Sequence, residues 1–149
     1  NIYKWVWKKH SAIARNKTGY KFTAIRFAKR KVKPALDNKV QYFVANVKNC
    51  LELFGKHFFD LICWQHGPEH LKKDESIRTI NKLKRVTRNY ILLETPKGFL
   101  EQTEMYGNKY EEHLSEWIEE DYHKLGFITT LGESESNIIA LWKRDFYKI

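Results

Sequence analysis

Glycine is scarce in this chain, and the few glycines are scattered. Seven of the 149 residues are glycine, and they form neither a GxGxxG nor a GxxxxGK[ST] pattern. The sequence therefore contains no glycine loop that could cradle a phosphate. Only two cysteines are present, without a disulfide framework or metal-ligand spacing, so we expect a reducing, cytoplasmic setting. No apolar run approaches the roughly 20 residues that span a bilayer, and we expect no membrane partner.

The positive charge is concentrated at the beginning of the chain. The formal net charge is +9, yet residues 1–39 hold 12 Lys or Arg and a single acid. The other 110 residues hold 15 basic and 17 acidic side chains. Such asymmetry fits an RNA or other anionic partner. It also fits the solvated face of an amphipathic helix, which is the interpretation that we favour.

Two short apolar runs indicate the centre of the fold. Residues 58–64 (FFDLICW) and 90–94 (YILLE) are uninterrupted by alternation, and one helical pattern at 69–88 separates them. Runs of this kind are typical of strands buried on both faces of a parallel sheet. We expect the two strands to be adjacent, central and parallel, as in a βαβ unit.

The remaining elements follow from periodicity and from turn residues. Strands are expected at 2–7 and 39–47, and a hairpin at 127–131 and 137–144. Helices are expected at 23–33 and at 116–125, the latter capped by Ser115 and ended by Gly126. Short helical turns are expected at 11–15 and 50–54. The chain is expected to form one domain over residues 1–149.

Several motifs occur in an order and spacing that resemble a known family. FDLI at 59–62 is followed by EHL at 69–71, ILLETPKG at 91–98, QTEMYGNKYEEHLSEW at 102–117 and EEDYHKLGF at 119–127. The set resembles the second half of the class I S-adenosylmethionine-dependent methyltransferases, over roughly residues 19–145. The resemblance implies an α/β, Rossmann-like, mostly parallel sheet with helices on both faces and a C-terminal antiparallel hairpin. Without a visible glycine loop, the N-terminal part is expected to be truncated or altered.

The resemblance also implies S-adenosylmethionine as the cofactor and methyl transfer to an unidentified acceptor, a small molecule or RNA. In the family, the second strand usually ends in an acid that bonds the cofactor's ribose hydroxyls. Lys21 stands there instead, and a lysine is only a donor. Asn46 stands after the third strand, where its amide oxygen can accept from the adenine amine; a turn residue after a strand is an equal interpretation. Val47, Trp64 and Gln65 complete the implied cofactor set.

His66 is the candidate catalytic residue. It follows the strand at 58–64 at the carboxyl edge of the sheet, where ligands of open α/β sheets bind, and a histidine titrates near neutrality. A loop histidine with a satisfied hydrogen bond is the simpler interpretation. Glu69 and His70 match a pair that is frequent in the family, and we expect them to cap and orient the following helix. Because Gly67 and Pro68 interrupt helical spacing between His66 and His70, we expect no metal site.

The connection at 99–114 is long, polar and aromatic. Connections of this length are uncommon unless they bind something. The resemblance implies a substrate-facing lid that carries Gln102, Tyr106, Asn108 and His113, and we expect it over the carboxyl edge near His66. A polar surface loop is the alternative.

A second hypothesis assigns no catalysis to the chain. A basic, non-enzymatic module that binds RNA or another anion, built on a degenerate methyltransferase scaffold, would explain both the charge and the missing glycine loop. The oligomeric state does not follow from the sequence under either hypothesis.

We predict that this chain alone binds S-adenosylmethionine weakly or not at all. Each lost charged hydrogen bond costs about 1.5–3 kcal/mol, and both the glycine loop and the ribose acceptor are missing. The variant Lys21→Glu restores an acceptor pair, so calorimetry should show measurably tighter cofactor binding. Low-micromolar binding by the wild type, with Lys21 remote from the cofactor, would contradict both the prediction and the placement of Lys21.

Overall fold

The fold is described from a computed structural model, which covers residues 11–16, 22–26, 40–44, 47–103, 109–133 and 135–144 in describable detail. These residues contribute seven strands to one sheet, in the order β3-β2-β1-β4-β5-β7-β6. The strands are β1 Ser11–Asn16, β2 Phe22–Arg26, β3 Val40–Val44, β4 Phe59–Gln65, β5 Thr87–Pro96, β6 Ile128–Leu131 and β7 Asn137–Lys143.

Three α-helices lie in the same part of the chain: α1 Val47–Cys50, α2 Lys73–Val86 and α3 Glu119–Lys124. Single 3₁₀ turns occur at Leu51–Leu53, Pro68–His70 and Lys109–Glu111. Helix α2 carries acids in its first turn and bases in its last, which complements the helix dipole. Among the described residues, no helix has the length and apolarity to cross a membrane.

The central strand pair is the one that the sequence predicts. Strands β4 and β5 are parallel and adjacent, with Ile62 opposite Ile91 and Trp64 opposite Leu93. Helix α2 connects them in the chain. The prediction of two adjacent, central, parallel strands at 58–64 and 90–94 is therefore confirmed, although β5 extends further in both directions than predicted.

The helices pack against one face of this pair. Ile62 and Trp64 of β4 are at most 1% exposed, as are Ile91 and Leu93 of β5. On the helical side the same core contains buried residues of all three helices and their flanks: Val47, Leu51, Ile80, Leu83, Val86, Trp117 and Tyr122. Burial of apolar surface contributes about 25 cal/mol per Å², so this face holds the fold together.

The other face of the central pair is less completely covered. Cys63 of β4 is 8% exposed, but Leu61 and Leu92 are half-buried. The expectation of burial on both faces is thus met at Cys63 and not at Leu61. Helices on both faces cannot be followed through the described residues, because the predicted helix at 23–33 lies largely outside them.

The sheet is mixed rather than mostly parallel. Strand β1 runs antiparallel to both β2 and β4, and β7 runs antiparallel to both β5 and β6. Only β2–β3 and β4–β5 are parallel among the described pairings. The α/β class, the parallel centre and the C-terminal antiparallel hairpin are confirmed.

The predictions for the first strands need correction. Residues 23–26 belong to strand β2, not to a helix, and residues 11–15 belong to β1 rather than to a helical turn. Strand β2 is paired on both sides, by β1 and by β3, and two ladders of backbone hydrogen bonds outweigh the small helix preference of so short a segment. Strand β3 is confirmed at its middle, but Val47 begins α1. The predicted strand at 2–7 lies outside the described residues.

Helix α3 begins later than predicted. Ser115 is buried and accepts a hydrogen bond from Trp117 Nε1 (3.1 Å) instead of capping a helix. The N-terminus forms at Ile118, whose backbone N–H donates to Asp121 Oδ2 (3.0 Å). Ile118 is exposed, and Gly126 ends the helix as predicted, with φ +72°.

Gly67 is required by the packing of Trp64. A Cβ atom at Gly67 would lie 1.8 Å from Trp64 Nε1, and the indole has no room to move because it is fully buried. We predict that Gly67→Ala destabilises the fold by about 1–3 kcal/mol, the usual cost of overpacking. Chemical denaturation measures this loss.

Gly55→Ala is the matched control. A Cβ atom at Gly55 would meet nothing within 4 Å. This variant should be neutral or more stable by up to about 1 kcal/mol, because alanine restricts the unfolded chain. Equal effects of the two substitutions would contradict the steric explanation.

Candidate functional site

His66 stands directly after β4 and has a strained backbone. Its φ is +45°, a conformation that few non-glycine residues adopt and that costs on the order of 1–3 kcal/mol unless the surroundings impose it. Its backbone N–H donates to the carbonyl of Glu94 (2.8 Å), which fixes the residue against the end of β5. Such strain is concentrated at functional sites, so the conformation supports the choice of His66.

Polar side chains from three strands meet beside His66. Glu94 of β5 accepts from Gln65 Nε2 at Oε2 (2.6 Å) and from Asn137 Nδ2 at Oε1 (3.0 Å). The sequence analysis did not single out Glu94 or Asn137. An acid closing the apolar run of β5 was the available signal for Glu94, but only the β5–β7 pairing brings Asn137 to it.

The imidazole of His66 lies between two carboxylates. Its Nδ1 is 3.5 Å from Glu69 Oε1 and its Nε2 is 3.7 Å from Glu94 Oε1. The contact with Glu69 is the main cause that raises the pKa of His66 above its usual value, with a smaller contribution from the charge of Glu94, and partial burial opposes both. The pocket therefore favours the imidazolium.

Glu69 is buried, at 2% exposure. Its carbonyl accepts the backbone N–H groups of Leu114 (2.7 Å) and Ser115 (3.1 Å). Neither Glu69 nor His70 caps helix α2, whose N-terminus at Lys72 has no side-chain cap. The predicted capping role is thus wrong. The two residues instead bond the end of the long connection, Glu69 through its carbonyl and His70 through Nδ1 to the carbonyl of Glu112.

The connection at 99–114 returns to the same edge, as predicted. His113 is 8% exposed, and its ring lies 4.7 Å from that of His70, centroid to centroid. Gln102 Nε2 donates to the carbonyl of Glu111 (2.5 Å), and the Gln102 carbonyl accepts from the N–H of His113 (2.9 Å). These two residues close the stem of the connection. Tyr106 and Asn108 lie outside the described residues.

The implied cofactor positions are only partly in view. Lys21 and Asn46 lie outside the described residues. The side chains of Val47 and Trp64 are fully buried in the core, Val47 at the start of helix α1 and Trp64 on the face of β4 that the helices cover, so neither side chain is exposed to a ligand. Gln65 does lie at the edge, where its amide is committed to Glu94.

Cys63 has no chemical role at this site. Burial raises the pKa of its thiol to about 11, so the nucleophilic thiolate is nearly absent at neutral pH. Cys63 is therefore a packing residue rather than a nucleophile.

Comparison with solved structures finds the same kind of fold. The chain is similar to an O-methyltransferase family protein from Burkholderia thailandensis, with a TM-score of 0.51 and 12% sequence identity. The match covers 74% of this chain but only 37% of that protein. No protein-family model matches the chain, and no curated protein matches it significantly. The likeness supports a methyltransferase-like fold at a coarse level.

We predict that Cys63 resists thiol reagents while the protein is folded. The variant Cys50→Ser leaves Cys63 as the sole thiol. Ellman's reagent at pH 8 should react with it only slowly, because the thiol is buried and its pKa of about 11 lies about three units above the pH of the assay. Addition of urea should release the full reaction. Rapid labelling of the folded protein would show that the less covered sheet face is open at Cys63.

Proposed function

We propose that this chain is a methyltransferase domain that binds a methyl acceptor at the carboxyl edge of β4 and β5, with S-adenosylmethionine as the methyl donor. One observation carries the proposal. A strained histidine and a hydrogen-bonded polar group lie together at the end of a parallel strand pair, in a fold similar to that of an O-methyltransferase family protein. Ligands of open α/β sheets bind at this kind of edge.

The described residues fit the acceptor side of such a site better than the cofactor side. S-adenosylmethionine supplies an electrophilic sulfonium methyl group, so the protein mainly has to align the acceptor, exclude water and remove a proton. Of the implied cofactor residues in view, two are core side chains and one is bonded to Glu94. The prediction of weak binding rests on the sequence, and the calorimetry with Lys21→Glu tests it.

His66 is proposed to accept the proton of the methyl acceptor. Glu69 and Glu94 face its two ring nitrogens and stabilise the imidazolium that forms. The same carboxylates keep more of the imidazole protonated beforehand, so only the neutral fraction is active. Gln65 and Asn137 hold Glu94 in place through both carboxylate oxygens.

The basic, non-catalytic alternative keeps one supporting observation, which is the concentration of positive charge in residues 1–39. The acceptor, whether a small molecule or RNA, and the cytoplasmic location both belong to the proposal. Neither hypothesis specifies an oligomeric state.

The deciding experiment follows a labelled methyl group. The full chain is incubated with methyl-labelled S-adenosylmethionine and a cytosolic extract that has been separated into RNA and small molecules. We expect label in one fraction, and we expect His66→Asn to lower the rate about 10²- to 10⁴-fold, the usual contribution of a general base. Asparagine tolerates the positive φ at this position, so the variant should fold normally.

His123→Asn is the matched control. His123 is an exposed histidine of helix α3, and its ring bonds the hydroxyl of Thr129. It should keep the wild-type rate. A salt titration of binding to a single-stranded RNA oligonucleotide runs beside the assay. A steep salt slope without label transfer or cofactor binding would overturn the enzymatic proposal in favour of the binding module.

A further inference from the structure

Three metal-ligating side chains meet where the long connection returns to the sheet edge. The ligand atoms of Glu69, His70 and His113 all lie within 4.8 Å of one another. Glu69 and His70 come from the 3₁₀ turn after β4, whereas His113 comes from the far end of the connection. The group is separate from the Gln65–Glu94–Asn137 hydrogen bonds.

Each of the two histidines contacts a backbone carbonyl through its Nδ1 atom. His113 Nδ1 lies 2.6 Å from the carbonyl of Leu100, and His70 Nδ1 lies 3.0 Å from the carbonyl of Glu112. A carbonyl only accepts, so each Nδ1 carries a proton, and Nε2 is the nitrogen of each ring through which a metal could be ligated. A proton on one ring nitrogen, held by a backbone carbonyl, is the usual arrangement of a metal-ligating histidine.

The carboxylate of Glu69 lacks the hydrogen bonds that a buried charge requires. Neither of its oxygens is accessible, and in the described part of the chain neither accepts a hydrogen bond. Two histidine nitrogens face Glu69 Oε1: His66 Nδ1 at 3.5 Å and His70 Nε2 at 3.9 Å. A desolvated carboxylate is costly unless it is well paired or coordinates a metal. The ring of His66 faces Glu69 without forming a hydrogen bond of ordinary length, so the carboxylate can accept a further cation.

We propose that Glu69, His70 and His113 bind one divalent transition-metal ion of the zinc class. Two imidazoles and a carboxylate are a typical donor set for such ions, with room for further ligands. Mg²⁺ and Ca²⁺ are disfavoured because they prefer oxygen ligands. Tetrahedral ligands of one zinc ion lie roughly 3.3 Å apart, so the side chains have to close by about 1.5 Å at most.

The ion would tie the end of the connection to the edge of the sheet. This inference goes beyond methyl transfer and does not depend on it. It also revises the expectation of no metal site. That expectation considered only His66 and His70, whereas His113 is distant from them in sequence.

Zinc binding by the full chain provides the test. After removal of metal with EDTA, calorimetry with ZnCl₂ should show one tight site per chain, and MgCl₂ should not compete. Glu69→Gln and His113→Gln should each weaken Zn²⁺ affinity by more than the about 10- to 100-fold that loss of a second-shell partner costs. His123→Gln, an exposed histidine outside the group, should bind like the wild type.

X-ray absorption of the zinc-loaded wild type decides the case even if a variant fails to fold. Two imidazoles and one carboxylate in the first coordination shell are expected. Three results would overturn the proposal: a coordination shell with fewer than two imidazoles, the absence of a stoichiometric zinc site, or a loss of Zn²⁺ affinity in His123→Gln as large as that in Glu69→Gln and His113→Gln. Because none of these readouts uses S-adenosylmethionine, failure here leaves the methyl-transfer assay and its His66 variant unaffected.

Discussion

A buried turn at Pro68 and Glu69 is the constraint on which the candidate site depends. Its two carbonyls are out of contact with water and must be satisfied within the protein. The Pro68 carbonyl accepts from the hydroxyls of Ser76 (2.5 Å) and Ser115 (3.3 Å). The Glu69 carbonyl accepts from the N–H groups of Leu114 and Ser115. One turn thereby fixes the start of α2 and the end of the long connection against the edge of β4.

The central part of the fold could be predicted because two independent patterns agree there. Short apolar runs indicate β4 and β5, and the helical pattern at 69–88 indicates the helix between them. The beginning of the chain offered no such agreement. The apolar face at 23–33 predicts a helix, and only the pairing of residues 22–26 with β1 and β3 makes them a strand. Ser115 failed as a cap for a similar reason, since its hydroxyl is used by a tertiary contact that local sequence does not show.

The candidate site was predictable in position but not in composition. A residue that follows a central parallel strand must lie at the carboxyl edge, so His66 could be found from the order of elements alone. The two carboxylates beside it could not be found in this way, because Glu94 is brought there by the pairing of β4 with β5 and Glu69 by the turn after β4. The burial of the Trp64 side chain could not be predicted either, because sequence position does not reveal which face of the sheet the helices cover.

The two ends of the long connection lie side by side at the edge of the sheet. Gly98 N–H donates to the Trp117 carbonyl (2.7 Å), and Gln102 bonds both Glu111 and His113, so the chain leaves and returns at nearly the same place. That place is set by His113, which reaches the carbonyl of Leu100 on one side and the ring of His70 on the other. Side chains that enter the site from the connection are therefore positioned by the same histidine and carboxylate group that borders His66. A change in that group would alter the acceptor edge without touching either central strand.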